Sequence, residues 1–149
     1  MPALTYQELR ELALSKRQGG VLTFEFRAQP IPAARPESIA DSFVASLGFK
    51  PPGKAWRMID RGVALGCLQH LLYYDLAYQR PLMEQKTAQF IAGSFMALFS
   101  SYDCRFCTNG SFDENGLLNW TPITESTFDH GVIAFDEQSI GMIWAQDED

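Results

Sequence analysis

Three thiols and one imidazole make the first candidate for chemistry. Cys67, Cys104, Cys107 and His70 form the donor set of a structural zinc. Cys67 and His70 are spaced i, i+3, so a helix presents both on one face. Cys104-Arg-Phe-Cys107 lies in a strand-like stretch, where positions three apart point to opposite faces. Ligation by all four then requires a tight turn between or just after the second pair. The simpler expectation is a core cysteine, a hydrogen-bonded histidine and an incidental CxxC, with no metal and no cofactor. Redox work by Cys104 and Cys107 is disfavoured by context. A thioredoxin-like pair sits at a helix N-terminus after a strand, whereas this one follows a long helical pattern and precedes a turn.

His130 is the second candidate. The chain has two histidines, and nucleophilic catalysis would set His130 between a cysteine and an aspartate. Its context, Asp129-His130-Gly131, marks no nucleophile. A turn or strand-end histidine bonded to Asp129 or to solvent is the plainer reading. Ser111-Phe-Asp-Glu-Asn-Gly116 resembles the start of a calcium loop, but the twelfth position falls on Pro122, which has no carboxylate. There is no Walker A and no GxGxxG for phosphate. Gly62, Gly66 and Gly93 fall in helical patterns, where they are expected to let helices approach closely.

The third candidate is a charge distribution rather than a motif. From Phe106 to Asp149 the chain carries nine acidic residues and no Lys or Arg. From Met1 to Arg61, nine basic residues stand against six acidic ones; from Gly62 onward, three stand against twelve. The formal net charge is −6. A negative field repels nucleic acid and anionic lipid and attracts basic proteins. The basic residues are spaced singly and carry no RNP-like aromatic stripe, so no nucleic-acid partner is expected.

These residues need a mixed scaffold. At 149 residues the chain is expected to form one domain, residues 1–149, around one core. Thr5 and Glu8 make a capping box for a first helix. Val21 to Arg27 alternates as a half-buried strand, with Leu22, Phe24 and Phe26 on one side. Pro36 opens a second helix carrying Ile39, Phe43 and Leu47. Trp56 to about Tyr78 reads as one long apolar helix, and Pro81 opens the next, so the two are expected to pair antiparallel. Asn109-Gly110 signals a turn, as does Asp113-Glu-Asn-Gly116. Thr127 to Gln146 reads as an amphipathic β-hairpin, with Ile140, Met142 and Trp144 inward and the acids outward or at its turns. The fold class is therefore α+β: a helical first two thirds packed on a small, mostly antiparallel C-terminal sheet.

The start of the chain has no basic n-region and no apolar h-region, and no apolar run nears the roughly 20 residues of a membrane span. Three cysteines are an odd number for a disulfide framework. A cytoplasmic protein with no membrane partner is expected. With no complete catalytic motif, the acidic end becomes the strongest functional feature. It points to an acidic protein-binding domain, in particular a bacterial immunity- or antitoxin-type inhibitor that neutralises a basic toxin by direct binding. Asp129, Asp136, Glu137, Asp147, Glu148 and Asp149 would supply charge complementarity, with Trp144 or Trp120 as aromatic anchors. Two alternatives stay open. One is a small enzyme or ligand-binding domain with a pocket between helices and sheet, faced by Tyr73, Tyr74 or Asp75. The other is a homo-oligomeric structural subunit.

Overall fold

Thr5 and Glu8 close the capping box that their spacing predicts. Glu8 N–H donates to Thr5 Oγ1 at 3.1 Å, and Thr5 N–H donates to Glu8 Oε1 at 3.0 Å. They start helix α1 (Tyr6–Lys16). The structure, a computed structural model, describes residues 4–148. Strand β1 (Val21–Ala28) follows, then α2 (Pro36–Ser46), with Pro36 in its first turn.

The expected long helix from Trp56 is instead two elements. After a 3-10 turn (Gly53–Ala55) comes strand β2 (Arg57–Ile59), and only then α3 (Arg61–Tyr73). Asp60 sets the break, because its carboxylate accepts the Val63 N–H at 2.8 Å and caps α3. Past Tyr74, the Asp75 carboxylate accepts the N–H groups of Ala77 and Tyr78 and folds a turn. Pro81 does not open the next helix; α4 (Gln85–Ala97) begins beyond Glu84. Helices α3 and α4 pack against each other.

The main sheet has five strands in the order β1-β7-β6-β3-β2, every pairing antiparallel. Here β3 is Arg105–Thr108, β6 is Phe128–Phe135 and β7 is Ser139–Asp147. A separate hairpin pairs β4 (Gly110–Phe112) with β5 (Leu118–Trp120). Its turn is at Asp113–Gly116, where Asp113 Oδ1 accepts from Asn115 and Leu117. Asn109-Gly110 is not a hairpin turn: Asn109 is buried and links β3 to β4. Strands β1 and β2 lie in the first two thirds of the chain, so helices and sheet are not partitioned along it as expected.

Each face of this sheet has its own core. On one, Phe24, Phe106, Val132, Ala134, Ile143 and Ala145 meet α1, α3 and α4. On the other, Ile133, Phe135, Ile140, Met142 and Trp144 meet α2 and Trp56. The β6–β7 hairpin forms as expected, but it is covered on both faces rather than amphipathic. Central strands with two covered faces read as continuous apolar runs, as Gly131–Phe135 and Ile140–Ala145 do.

One ion pair ties the layers together. Arg17, just past α1, and Asp147, at the end of β7, form a bidentate bridge at 2.7 and 2.9 Å. Arg17 also donates to the carbonyls of Leu71, Tyr74 and Gly19, and Asp147 also accepts the Leu76 N–H. Both side chains are fully buried. Gly20 makes room for them with φ +60°; a Cβ there would collide with the Asp147 carboxylate and the Gln146 carbonyl. In contrast, a Cβ at Gly66 or Gly93 meets nothing within 4 Å, so neither glycine mediates close helix contact. Gly20→Ala is expected to destabilise by about 2 kcal/mol, and Gly66→Ala to stabilise by about 1 kcal/mol through helix propensity. Urea denaturation checks both signs, and a shared sign would contradict this geometry.

Candidate functional site

Asp129 and Asp147 are interior side chains, not members of an exposed acidic surface. Asp147 is consumed by Arg17. Asp129 is fully buried with no cation paired to it among the described residues, and hydrogen-bond donors surround it instead. Asn109 Nδ2, Thr124 Oγ1 and Trp144 Nε1 donate to its carboxylate at 2.9, 2.9 and 3.2 Å, together with the N–H groups of Ile123 and Thr124. A buried carboxylate survives without a counter-ion only when donors fill its lone pairs in this way. Trp144 is also fully buried, edge-on to Trp56 at 6.0 Å, so it is a core residue rather than an anchor for a partner. Trp120 is half-buried and stacks on Phe128 at 5.2 Å. Asp149 lies outside the described residues.

The remaining acids separate to the two ends of the hairpin. Glu148 stands at the open end, where its carboxylate accepts from Thr127 N–H and Oγ1, bonds that lower its pKa. Asp136 and Glu137 form the β6–β7 turn, about 30 Å away along β7. The single acidic face implied by their sequence proximity therefore does not form.

At the turn end, two acids join a third, Asp103, that no sequence motif marks. Glu137 and Asp103 are exposed, and with Asp136 they line a groove of about 540 Å3. Ile31, Pro32, Ala34, Ile39 and Phe135 give the same groove apolar lining, and Arg105 is its cation among the described residues. Several bonds hold this geometry. Ile31 N–H donates to the Glu137 carbonyl at 2.9 Å and pins the proline-rich segment after β1 onto the turn. The Asp136 carboxylate accepts from Gln138 N–H, Ser139 Oγ and Ser101 Oγ at 2.8, 3.0 and 3.1 Å. Partial burial raises its pKa, but those bonds outweigh it and the net shift is downward. Asp136 is thus a charge fixed in place, while Asp103 and Glu137 are free to meet a partner. Asp103 carries little sequence signal, because its role depends on β3 beginning beside a turn more than thirty residues later.

The zinc donor set is dispersed. Cys67, on α3, and Cys104, just before β3, lie on the α1/α3/α4 side and Cys107 on the α2 side, so Cys104 and Cys107 fall on opposite sides of the sheet as expected. Cys104 is half-buried, and its thiol donates to the Phe99 carbonyl at 3.0 Å. Among the described residues no group of three or more His, Cys, Asp or Glu side chains could hold a metal ion. Burial pushes the Cys67 thiol up to about 11 and raises Cys104 and Cys107 as well, so all three are poor nucleophiles at neutral pH.

His130 is fully buried and is not a strand-end histidine facing solvent. The Asn109 amide nitrogen donates to the carbonyls of Thr121 and Asp129 and to Asp129 Oδ1, which turns its oxygen toward His130 Nδ1 at 3.1 Å. Nδ1 therefore carries the proton and Nε2 is a bare acceptor, buried and unpartnered among the described residues. Phe112 stands between the two histidines, 4.2 Å from the His70 ring and 5.3 Å from that of His130. Burial, then the neighbouring His70, depress the His130 pKa to about 3, so it stays neutral rather than acting as a base near pH 7.

The chain matches no protein-family model, no curated protein and no solved structure.

A buried neutral histidine links stability to pH. The unfolded chain protonates His130 near pH 6.5 while the folded one does not, so stability falls as pH drops from about 6.5 toward 3, by up to 1.4 kcal/mol per pH unit. His70, whose pKa burial also lowers, adds in the same direction. The lowered carboxylates, Glu8, Asp136 and Glu148, add their losses only below about pH 4.5. Between pH 4.5 and 6.5 the slope belongs to the histidines. His130→Gln, assayed by urea denaturation across that window, should flatten it; an unchanged slope would show that His130 is accessible to protons.

Proposed function

We infer that this chain is a protein-binding domain, and that the groove between the Ile31–Ile39 segment and the β6–β7 turn receives a basic segment of a partner protein. The observation that carries this reading is the mixed lining of one groove: three acidic residues, Asp103, Asp136 and Glu137, outnumber Arg105 and share the groove with the apolar side chains of the Ile31–Ile39 segment. Carboxylates raise the encounter rate of a basic partner and fix its register, while desolvated apolar contacts supply affinity. The net charge of −6 adds a long-range field of the same sign. Within this class, the most specific reading is a bacterial immunity- or antitoxin-type inhibitor acting in the cytoplasm, where acidic side chains block the basic surface of a toxin. What supports it is charge sign and groove chemistry.

The test is affinity capture from the source cell at about 50 mM salt, followed by a wash near 500 mM that collapses the screening length to a few ångströms. The unaltered chain should retain a basic protein and release it in the wash. Asp103→Lys combined with Glu137→Lys should reduce capture at least tenfold, while Glu148→Lys, at the far end of the hairpin, should leave it intact. Asp136 is left untouched because its carboxylate organises the turn. Equal capture by the double variant, or a captured protein that is acidic, would overturn the reading.

A further inference from the structure

Between α3 and the start of α4 lies a cleft of about 210 Å3 that protein capture does not use. Its polar lining comes from Gln69, His70, Tyr73, Tyr74, Gln85 and Gln89, and no charged residue contributes. A cleft of this size takes a small molecule on the scale of a single ring.

Three features make this a site rather than a surface irregularity. First, the lining is chemically uniform. Amide and phenol groups each donate and accept, and they alternate with the aromatic faces of Tyr73 and Tyr74, which meet edge to face at 4.6 Å. Second, the His70 ring lines the cleft, while its Nδ1 is itself closed off from solvent. The ring is held in place by Tyr74 at 4.9 Å and Phe112 at 4.2 Å, so it is pre-positioned. Third, Gly66 sits at the cleft in mid-helix, and a Cβ on it would meet no atom within 4 Å. No packing contact requires this glycine. A side chain there would occupy the cleft.

We propose that the α3–α4 cleft is a binding site for a small uncharged polyhydroxylated ligand, a monosaccharide or cyclic polyol. Hydroxyl groups both donate and accept, which matches glutamine amides and tyrosine phenols, while the apolar face of a sugar ring lies against an aromatic ring. An ionised ligand finds no counter-charge here and would lose hydration without compensation. His70 supports the same choice, because burial lowers its pKa and leaves it a neutral acceptor or donor near pH 7. The sequence reading placed Tyr73, Tyr74 and Asp75 at a pocket between helices and sheet. The two tyrosines do line a pocket, but between two helices, and Asp75 is used in the turn that follows.

The proposal is tested by amide chemical-shift titration of the full chain with glucose, galactose, N-acetylglucosamine and myo-inositol, each to about 50 mM, beside the charged analogues glucuronate and glucosamine. Weak single-ring binding falls within that range, since millimolar affinity is a small free energy. At least one neutral compound should produce saturable shifts at Gly66, Gln69 and Gln89, with its charged analogue at least tenfold weaker. Gly66→Leu adds a side chain at the cleft from a position where a Cβ meets no atom, so it should keep the folded spectrum and lose binding at least tenfold. Gln89→Ala should weaken it by a smaller factor. The proposal fails if no neutral compound gives saturable shifts at the cleft, if Gly66→Leu binds as well as the unaltered chain, or if a charged analogue binds equally tightly.

Discussion

The Arg17–Asp147 ion pair is the constraint on which the layers depend. Its partners are separated by 130 positions and lie at the ends of α1 and β7. The guanidinium collects carbonyls from the end of α3 and from Gly19, while the carboxylate takes the Leu76 N–H. A buried charge is tolerated only when paired and fully hydrogen-bonded, and breaking such a pair leaves an uncompensated ion that costs about 3–5 kcal/mol. One pair thus locks the first helix, the end of α3 and the last strand into a single arrangement. The φ of Gly20 is part of the same device, since any side chain there would occupy the space of the Asp147 carboxylate.

Burial of the β6–β7 hairpin on both faces divides the acids of the chain's last third into two kinds. Asp129 and Asp147 are structural, each saturated by donors. Asp136, Glu137 and Glu148 remain outside, at opposite ends of the hairpin, and Asp113, Glu114 and Glu125 are exposed on the segment before it. A partner that recognises negative charge therefore meets local sites rather than a continuous face. Of these, the turn end is the richer, because the proline-rich segment after β1 is pinned beside it and brings apolar side chains to the same groove. The uncharged α3–α4 cleft lies on the other side of the sheet and presents different chemistry, so the two surfaces can serve different ligands.

Local signals were legible wherever one short-range interaction decides the outcome. The Thr5/Glu8 capping box, the alternation of β1, Pro36 at the start of α2 and the turn between β6 and β7 all formed as their residues imply. Signals that depend on the partner strand were not legible. Arg57–Ile59 continues an apolar helical pattern, yet it pairs with β3, and only the Asp60 cap marks the boundary. The apolar run Ile140–Ala145 fits either one covered face or two; α2 and Trp56 decide it by covering the second. Acidic residues carry no mark of burial in sequence. Asp129 differs from Glu137 only because Asn109, Thr124 and Trp144 converge on it, from the β3–β4 link, the loop before β6 and β7. Asp103 went unnoticed for the converse reason: its neighbours in the groove are distant in the chain.

The division between structural and surface acids rests most heavily on Asp147. A double-mutant cycle of Arg17→Met and Asp147→Leu, followed by urea denaturation, measures it directly. Each single variant should lose about 3–5 kcal/mol, and the double variant should recover much of that loss, giving a coupling of about 2 kcal/mol or more between the two sites. Additive effects, or an Asp147→Leu chain as stable as the original, would contradict a buried Asp147 and return it to the surface.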